Sequence, residues 1–229
     1  LRLLDDFSSF LNQISEAPLY VLDVTIPLAT YVLLDLSVSN TELNLKRVSS
    51  SETLGAYVNK KIAEHNGLVA YGGYLEHRNI YNRSAYFSSE DDNNRNIHLG
   101  IDIWSSTNTP IFTPLNGVVH SFKNNTNFGD YGPTIILQHE FQKTPFYTLY
   151  GHLSLESLGN LSVGQVFKQG EQIGTLGDET VNGDYPPHLH FQIIRDLQGM
   201  AGDYPGVCAR SHLEFYSKNC PNPNLLLKL

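Results

Sequence analysis

IHLGIDIW (residues 97–104), PTIILQHE (133–140), PFYTLYGHLS (145–154) and HLHFQIIR (188–195) decide how this chain folds. Each is a short apolar run, and TPIFTPLNGVVHSF (109–122) and GQVFKQGEQIGTLG (164–177) add two more between Gly, Pro and Asn turns. Short strands recurring at such intervals predict a mainly β fold, an antiparallel sheet of sandwich or barrel type. Gly117, Gly164, Gly170, Gly174 and Gly177 are expected to supply its positive-φ corners. Within HLHFQII, alternation puts Leu189, Phe191 and Ile193 on one face and His188, His190 and Gln192 on the other. Two imidazoles thus project side by side from a surface whose reverse is apolar.

Outward from this core, the N-terminal part reads differently. Residues 1–16 form an amphipathic helix pattern with Leu3, Leu4, Phe7, Phe10, Leu11 and Ile14 on one face. LYVLDVTIP (19–27) and TYVLLDLSV (30–38) read as strands. Ser51 looks like the N-cap of a helix over ETLGAYVNKKIAEHNG (52–67), closed by Gly67. YGGYLEHRNIYNRSAYF (71–87) is aromatic and broken by glycine, and SSEDDNNRN (88–96) reads as a loop. The expected organisation is an α/β extension over 1–96 that packs on or covers a groove, a core over 97–195, and a C-terminal tail over 196–229 that packs on the core.

Composition narrows the function. With 41% hydrophobic residues, the 229-residue chain can bury a sizeable core. Fifteen Lys and Arg stand against 23 acidic residues, for a net charge of −8, and no basic cluster occurs. Binding to a nucleic-acid backbone or an anionic membrane is therefore not expected. Asp23 and Asp35 interrupt the longest apolar stretch, 19–38, which argues against a membrane span. The opening LRLLDDFSSFL is not a secretory signal; a cytoplasmic chain and an exported one whose signal has been removed both fit. Cys208 and Cys220 are compatible with a disulfide or with two thiols.

His98 and Asp102 in HLGID lie four residues apart, about 13 Å in a straight strand. To share a metal the segment must bend, and Gly100 is expected to permit the bend. Together with HLH they make up the two-imidazole, one-carboxylate set of a catalytic zinc site with an open fourth position. His152 follows Gly151 at the end of the FYTLY strand. His65, His77, His120, His139 and His212 read as ordinary surface or core residues, His65 at a helix end and His139 packed beneath the site.

These motifs resemble the lysostaphin-type or LytM-type zinc endopeptidases. His98 and Asp102 match that family's His-x-x-x-Asp motif, His188 and His190 its final His-x-His, and Tyr150-Gly151-His152-Leu153 its Tyr-x-His-Leu. TPIFTPLNGVV (109–119) and VGQVFKQGEQIGTLG (163–177) are similar to its intervening landmarks, and the resemblance spans about residues 97–195. It implies a duplicated-hybrid-motif-like sheet with a groove and one zinc per chain on His98, Asp102 and His190. It also implies His152 and His188 as catalytic histidines beside the metal, and a peptide or peptidoglycan substrate. The flanks GGYLEHRNIY (72–81) and GDYGPTIIL (129–137) and the tail GDYPGVC (202–208) with CPNPNLLL (220–227) are similar to a subgroup found alone or next to kinase-like and aminotransferase-like domains. Zinc in such a site lowers the pKa of water toward ~7, and neutral imidazoles suit the proton transfers; which histidine is the base stays open. Two alternatives remain: a phosphocarrier of related fold that uses His98, and a non-catalytic or latent module. Substrate choice is expected to lie in the loops 71–96, 122–131 and 178–187.

Overall fold

The computed structural model describes residues 6–43, 48–83 and 94–229. The N-terminal helix α1 covers Asp6–Asn12 and buries Phe7 and Leu11; Leu3 and Leu4 lie outside the described residues. The run 19–27 is not a strand. Leu19, Val21 and Leu22 are buried, but the backbone crosses the core as a strap, with Leu19 N–H donating to the Leu226 carbonyl and Phe112 N–H to that of Val21. Asp23 accepts from Thr25 N–H and turns the chain before Pro27. Of the second run only β1, Tyr31–Leu33, is a strand. Helix α2, Ser51–Glu64, is capped by Ser50, whose hydroxyl accepts from Thr53 N–H. The cap sits one residue earlier than expected, and Asn66, not Gly67, takes the left-handed conformation at its end. β2 spans Val69–Gly72. The expected loop 88–96 falls mostly outside the described residues.

The strands β3 (Ile97–His98), β4 (Ile101–Trp104), β5 (Pro110–Phe112), β6 (Gly117–Asn125), β7 (Gly132–Phe141) and β8 (Thr144–Gly151) follow. β9 (Val166–Phe167), β10 (Gln172–Thr175), β11 (His188–Ile194) and β12 (Val207–Cys208) complete the sheets, and helices α3 (Leu213–Asn219) and α4 (Asn224–Leu227) close the chain. Eight strands form one sheet in the order β1-β2-β4-β11-β8-β7-β6-β9, with the ribbons β10-β5 and β12-β3 beside it. Every pair is antiparallel except β1 and β2 at the edge. The fold is therefore the mainly β, antiparallel architecture expected. Among the described residues no helix is long and apolar enough to cross a membrane.

Alternation sorts the central strands. Ile101, Ile103, Ile135, Leu137, Leu189, Phe191 and Ile193 enter one core, roofed by α1, the strap and Leu226 and Leu227 of α4. Burying each such side chain contributes roughly 1.5–3 kcal/mol. The opposite face is also covered, by two smaller clusters around Leu54, Tyr81 and Trp104 and around Tyr131, Leu149 and Tyr204. The HLH imidazoles thus lie in a cleft between two packed clusters, not on a solvated surface. Of the five glycines expected at corners, only Gly164 (φ +87°) and Gly170 (φ +79°) have positive φ. Gly117, Gly174 and Gly177 serve close packing instead: a Cβ there would meet His139, Ser157 or the Leu153 carbonyl at 2.8, 2.6 and 2.5 Å.

Candidate metal centre

Register assembles the site. Gly72, Asp102, His190 and Gly151 stand opposite one another across β2, β4, β11 and β8. His152 is the next residue beyond Gly151, and β3 folds His98 over the row. The chain bends between β3 and β4 as expected, but Gly100 has no positive φ. Glycine is needed for space: a Cβ would lie 2.7 Å from the His190 ring.

The donor atoms of His98, Asp102 and His190 converge. His98 Nε2 lies 2.9 Å from His190 Nδ1 and 3.1 Å from Asp102 Oδ1, and His190 Nδ1 lies 3.2 Å from that oxygen. Tetrahedral coordination at ~2.0–2.1 Å would set donors about 3.3 Å apart. The remaining atoms fix the tautomers. His98 Nδ1–H donates to the Gly73 carbonyl (2.9 Å) and His190 Nε2–H to Gln192 Oε1 (2.8 Å). Gln192 is held in that sense because its amide donates to the Pro205 carbonyl and Cys220 Sγ. Two imidazole lone pairs and a carboxylate oxygen therefore face one point with no proton between them, an arrangement that a divalent cation relieves. Among the described residues this is the one cluster of three such side chains. The N,N,O donor set suits zinc.

The electrostatics agree. Burial lowers the His98 pKa to about 4, helped by the Arg78 charge, so its ring is neutral at pH 7. Burial raises the Asp102 pKa, but His98, Arg78 and His188 outweigh it and hold the carboxyl well below the usual range. Arg78 forms an ion pair with Asp102 Oδ2.

His152 and His188 are brought to the same place. His188 Nδ1–H donates to the Pro186 carbonyl and His152 Nδ1–H to that of Asn182, both at 2.8 Å. Each ring thus leaves Nε2 as its free acceptor. The rings lie 4.2 Å apart, and His188 stacks on Trp104 at 5.6 Å. His188 Nε2 is 3.8 Å from Asp102 Oδ1. Burial lowers both pKa values, His152 well below the ordinary range, with His188 and His190 adding to the effect of burial there. His152 has φ +62°, a sparsely populated conformation for a residue with a Cβ; its N–H donates to the Tyr131 carbonyl.

A groove of about 260 Å³ runs over these five residues. The three expected loops line it through Tyr81, Arg95, Asp130, Tyr131, Tyr185 and Pro186. Leu36, Leu54 and residues 203–207 also line it, outside the loops expected to choose the substrate. Arg78 falls within the subgroup-like flank 72–81, but its role was not legible there, because its partner Asp102 lies 24 residues on. Gln192 was placed on the histidine face by alternation, but its bond to His190 needed the fold. Cys208 and Cys220 are buried free thiols.

Residues 96–202 match the model of Peptidase family M23, in keeping with the lysostaphin-type motifs. Among curated proteins it is similar to the L-Ala--D-Glu endopeptidase of Bacillus subtilis (strain 168), with 27% identity over 144 residues, 59% of this chain and 42% of that protein. Peptidoglycan DD-endopeptidase ShyA of Vibrio cholerae serotype O1 is 31% identical over 112 residues, 47% of this chain and 23% of that protein. The chain spans under half the length of these relatives. Among solved structures, the catalytic domain of lysostaphin from Staphylococcus simulans aligns with 20% identity and a TM-score of 0.40, over 71% of this chain and 97% of that domain.

Proposed function

We propose that this domain is a zinc-dependent endopeptidase that hydrolyses peptide bonds of peptidoglycan cross-links, or of other small peptides rich in glycine or D-amino acids. The observation that carries this reading is the convergence of three buried lone pairs, with two further neutral imidazoles beside them. His98, Asp102 and His190 would hold one zinc. When bound, zinc supplies Lewis-acid polarisation of a carbonyl and lowers the pKa of water. His188 Nε2, on the Asp102 side of the cleft, accepts the proton of the attacking water. His152 Nε2 takes that proton on from His188, whose ring lies 4.2 Å away, and gives it to the leaving amine as the C–N bond breaks. Both begin neutral because burial depresses their pKa values. The peptidoglycan part of the proposal is supported by the two curated relatives, each an endopeptidase by name.

The phosphocarrier alternative needs a histidine nitrogen open to a phosphoryl group. His98 is 1% exposed, with Nδ1 on the Gly73 carbonyl and Nε2 among the converging donors. The test is to incubate the zinc-loaded chain with muropeptides, oligoglycine and D-amino-acid peptides and to follow new amino termini by mass spectrometry. Cleavage that stops with chelator and returns with zinc is expected. A zinc-loaded chain that cuts none of them would refute the reading.

A further inference from the structure

Two of the three proposed metal ligands are oriented from one short turn, residues 73–78, which precedes the segment that matches the family. The Gly73 carbonyl holds His98 Nδ1. Five residues later, Arg78 Nη1 donates to Asp102 Oδ2 while its Nε donates to Glu76 Oε2 at 2.6 Å. The other Glu76 oxygen accepts Leu36 N–H at 3.0 Å, which ties the turn to the N-terminal extension. The turn is also laced to the ligand strand. Leu75 N–H donates to the His98 carbonyl, His98 N–H to that of Glu76, and Arg78 N–H to that of Asn96.

Arg78 is 3% exposed, and its Nη2 is buried without a hydrogen-bond partner. Gly73 makes this possible: a Cβ there would lie 1.8 Å from Nη2. A guanidinium buried with one nitrogen unpaired costs stability, so stability does not explain its presence. Its planar fork can engage a carboxylate and a second acceptor in fixed directions, which a lysine cannot do.

On the zinc reading above, we infer that Arg78 is a positioning residue for the metal site. By taking Asp102 Oδ2, it aims Oδ1 at the point shared by His98 and His190, and Glu76 holds the guanidinium in that orientation. The turn 73–78 is then a working part of the centre. Its charge acts in the opposite sense, because a guanidinium repels a cation. The sign of the effect therefore separates positioning from charge.

The test uses the full chain, stripped of metal and titrated with zinc against a chromophoric chelator, with the melting curve of the zinc-free protein as the folding control. Arg78→Lys keeps the charge and loses the fork; Glu76→Gln keeps the arginine and loosens its hold; Arg78→Met removes both charge and fork. Each is expected to weaken zinc binding, Arg78→Lys by roughly 10–100-fold, the usual cost of losing a partner that orients a ligand. If Arg78→Met does not fold, the other two variants decide. Unchanged affinity in Arg78→Lys, or a rise in Arg78→Met, would mean that only charge matters and would overturn the inference. A lowered melting temperature with unchanged affinity would mark a structural ion pair and overturn it as well. His190→Ala separates the two levels. If it loses zinc while the Arg78 variants do not, the centre stands and the positioning role falls; wild-type protein that binds no zinc overturns both.

Discussion

Gly100→Ala is a one-methyl perturbation aimed at the His190 ring from behind. The added Cβ would sit 2.7 Å from His190 Cε1, from its Nε2 and from the Phe191 carbonyl oxygen. Ordinary contact begins at 3.4 Å, so about 0.7 Å must be found. The carbonyl belongs to β11, paired on both sides by β4 and β8, and it cannot yield. The imidazole must therefore shift, against its hydrogen bond to Gln192. Metal–ligand distances tolerate only ~0.2 Å. Overpacking of this kind costs about 1–3 kcal/mol. If zinc binding must return the ring to its place, that cost appears as roughly a 5- to 150-fold loss of affinity. The assay is chelator competition on the variant, with Gly164→Ala as control. Gly164 has φ +87° and nothing within 4 Å of its would-be Cβ, so an alanine there carries ~1–2 kcal/mol of backbone strain and leaves zinc binding alone. A Gly100→Ala protein whose zinc affinity stays within twofold of wild type, or a Gly164→Ala protein that loses as much, would refute the reasoning.

His152→Ala and His188→Ala should retain zinc, measured by metal analysis, and lose roughly 10²–10⁴-fold in peptide hydrolysis; a near wild-type rate in either removes that histidine from the mechanism. His139 lies away from the centre, between the Asn116 carbonyl and Thr148, and burial lowers its pKa from 6.5 to about 4. The unfolded chain binds the extra proton, so this stabilisation is complete above pH 6.5 and is lost as pH falls toward 4, about 3 kcal/mol in all. Urea unfolding of zinc-free protein should show His139→Gln losing less stability than wild type between pH 7 and 4.5, and equal losses would count against it.

Much of the domain follows from local pattern. Period-two alternation in 188–194 separates the core side chains from the imidazoles because successive residues of a strand must point oppositely. The His98–Asp102 spacing requires a bend, and the bend is there. Tertiary structure decided what depends on approach between distant segments. The run 19–27 has strand-forming residues but becomes a strap, because its backbone is tied by single hydrogen bonds to Leu226 near the chain terminus and to Phe112 of β5, and forms no ladder. Gly100 was legible as a glycine that mattered, but the reason is the His190 ring, brought against it from 90 residues away. The flank 72–81 that holds Arg78 was legible as a motif, but the role of the arginine was not, since its partner Asp102 lies on another strand. The tautomers of His98 and His152 likewise depend on the Gly73 and Asn182 carbonyls, 25 and 30 residues away, whereas those of His188 and His190 are held by Pro186 and Gln192 two residues along the chain. A side chain's type and face are properties of its own strand, whereas the aim of Asp102 and of the His98 and His152 rings is set by atoms that only packing brings within 3 Å.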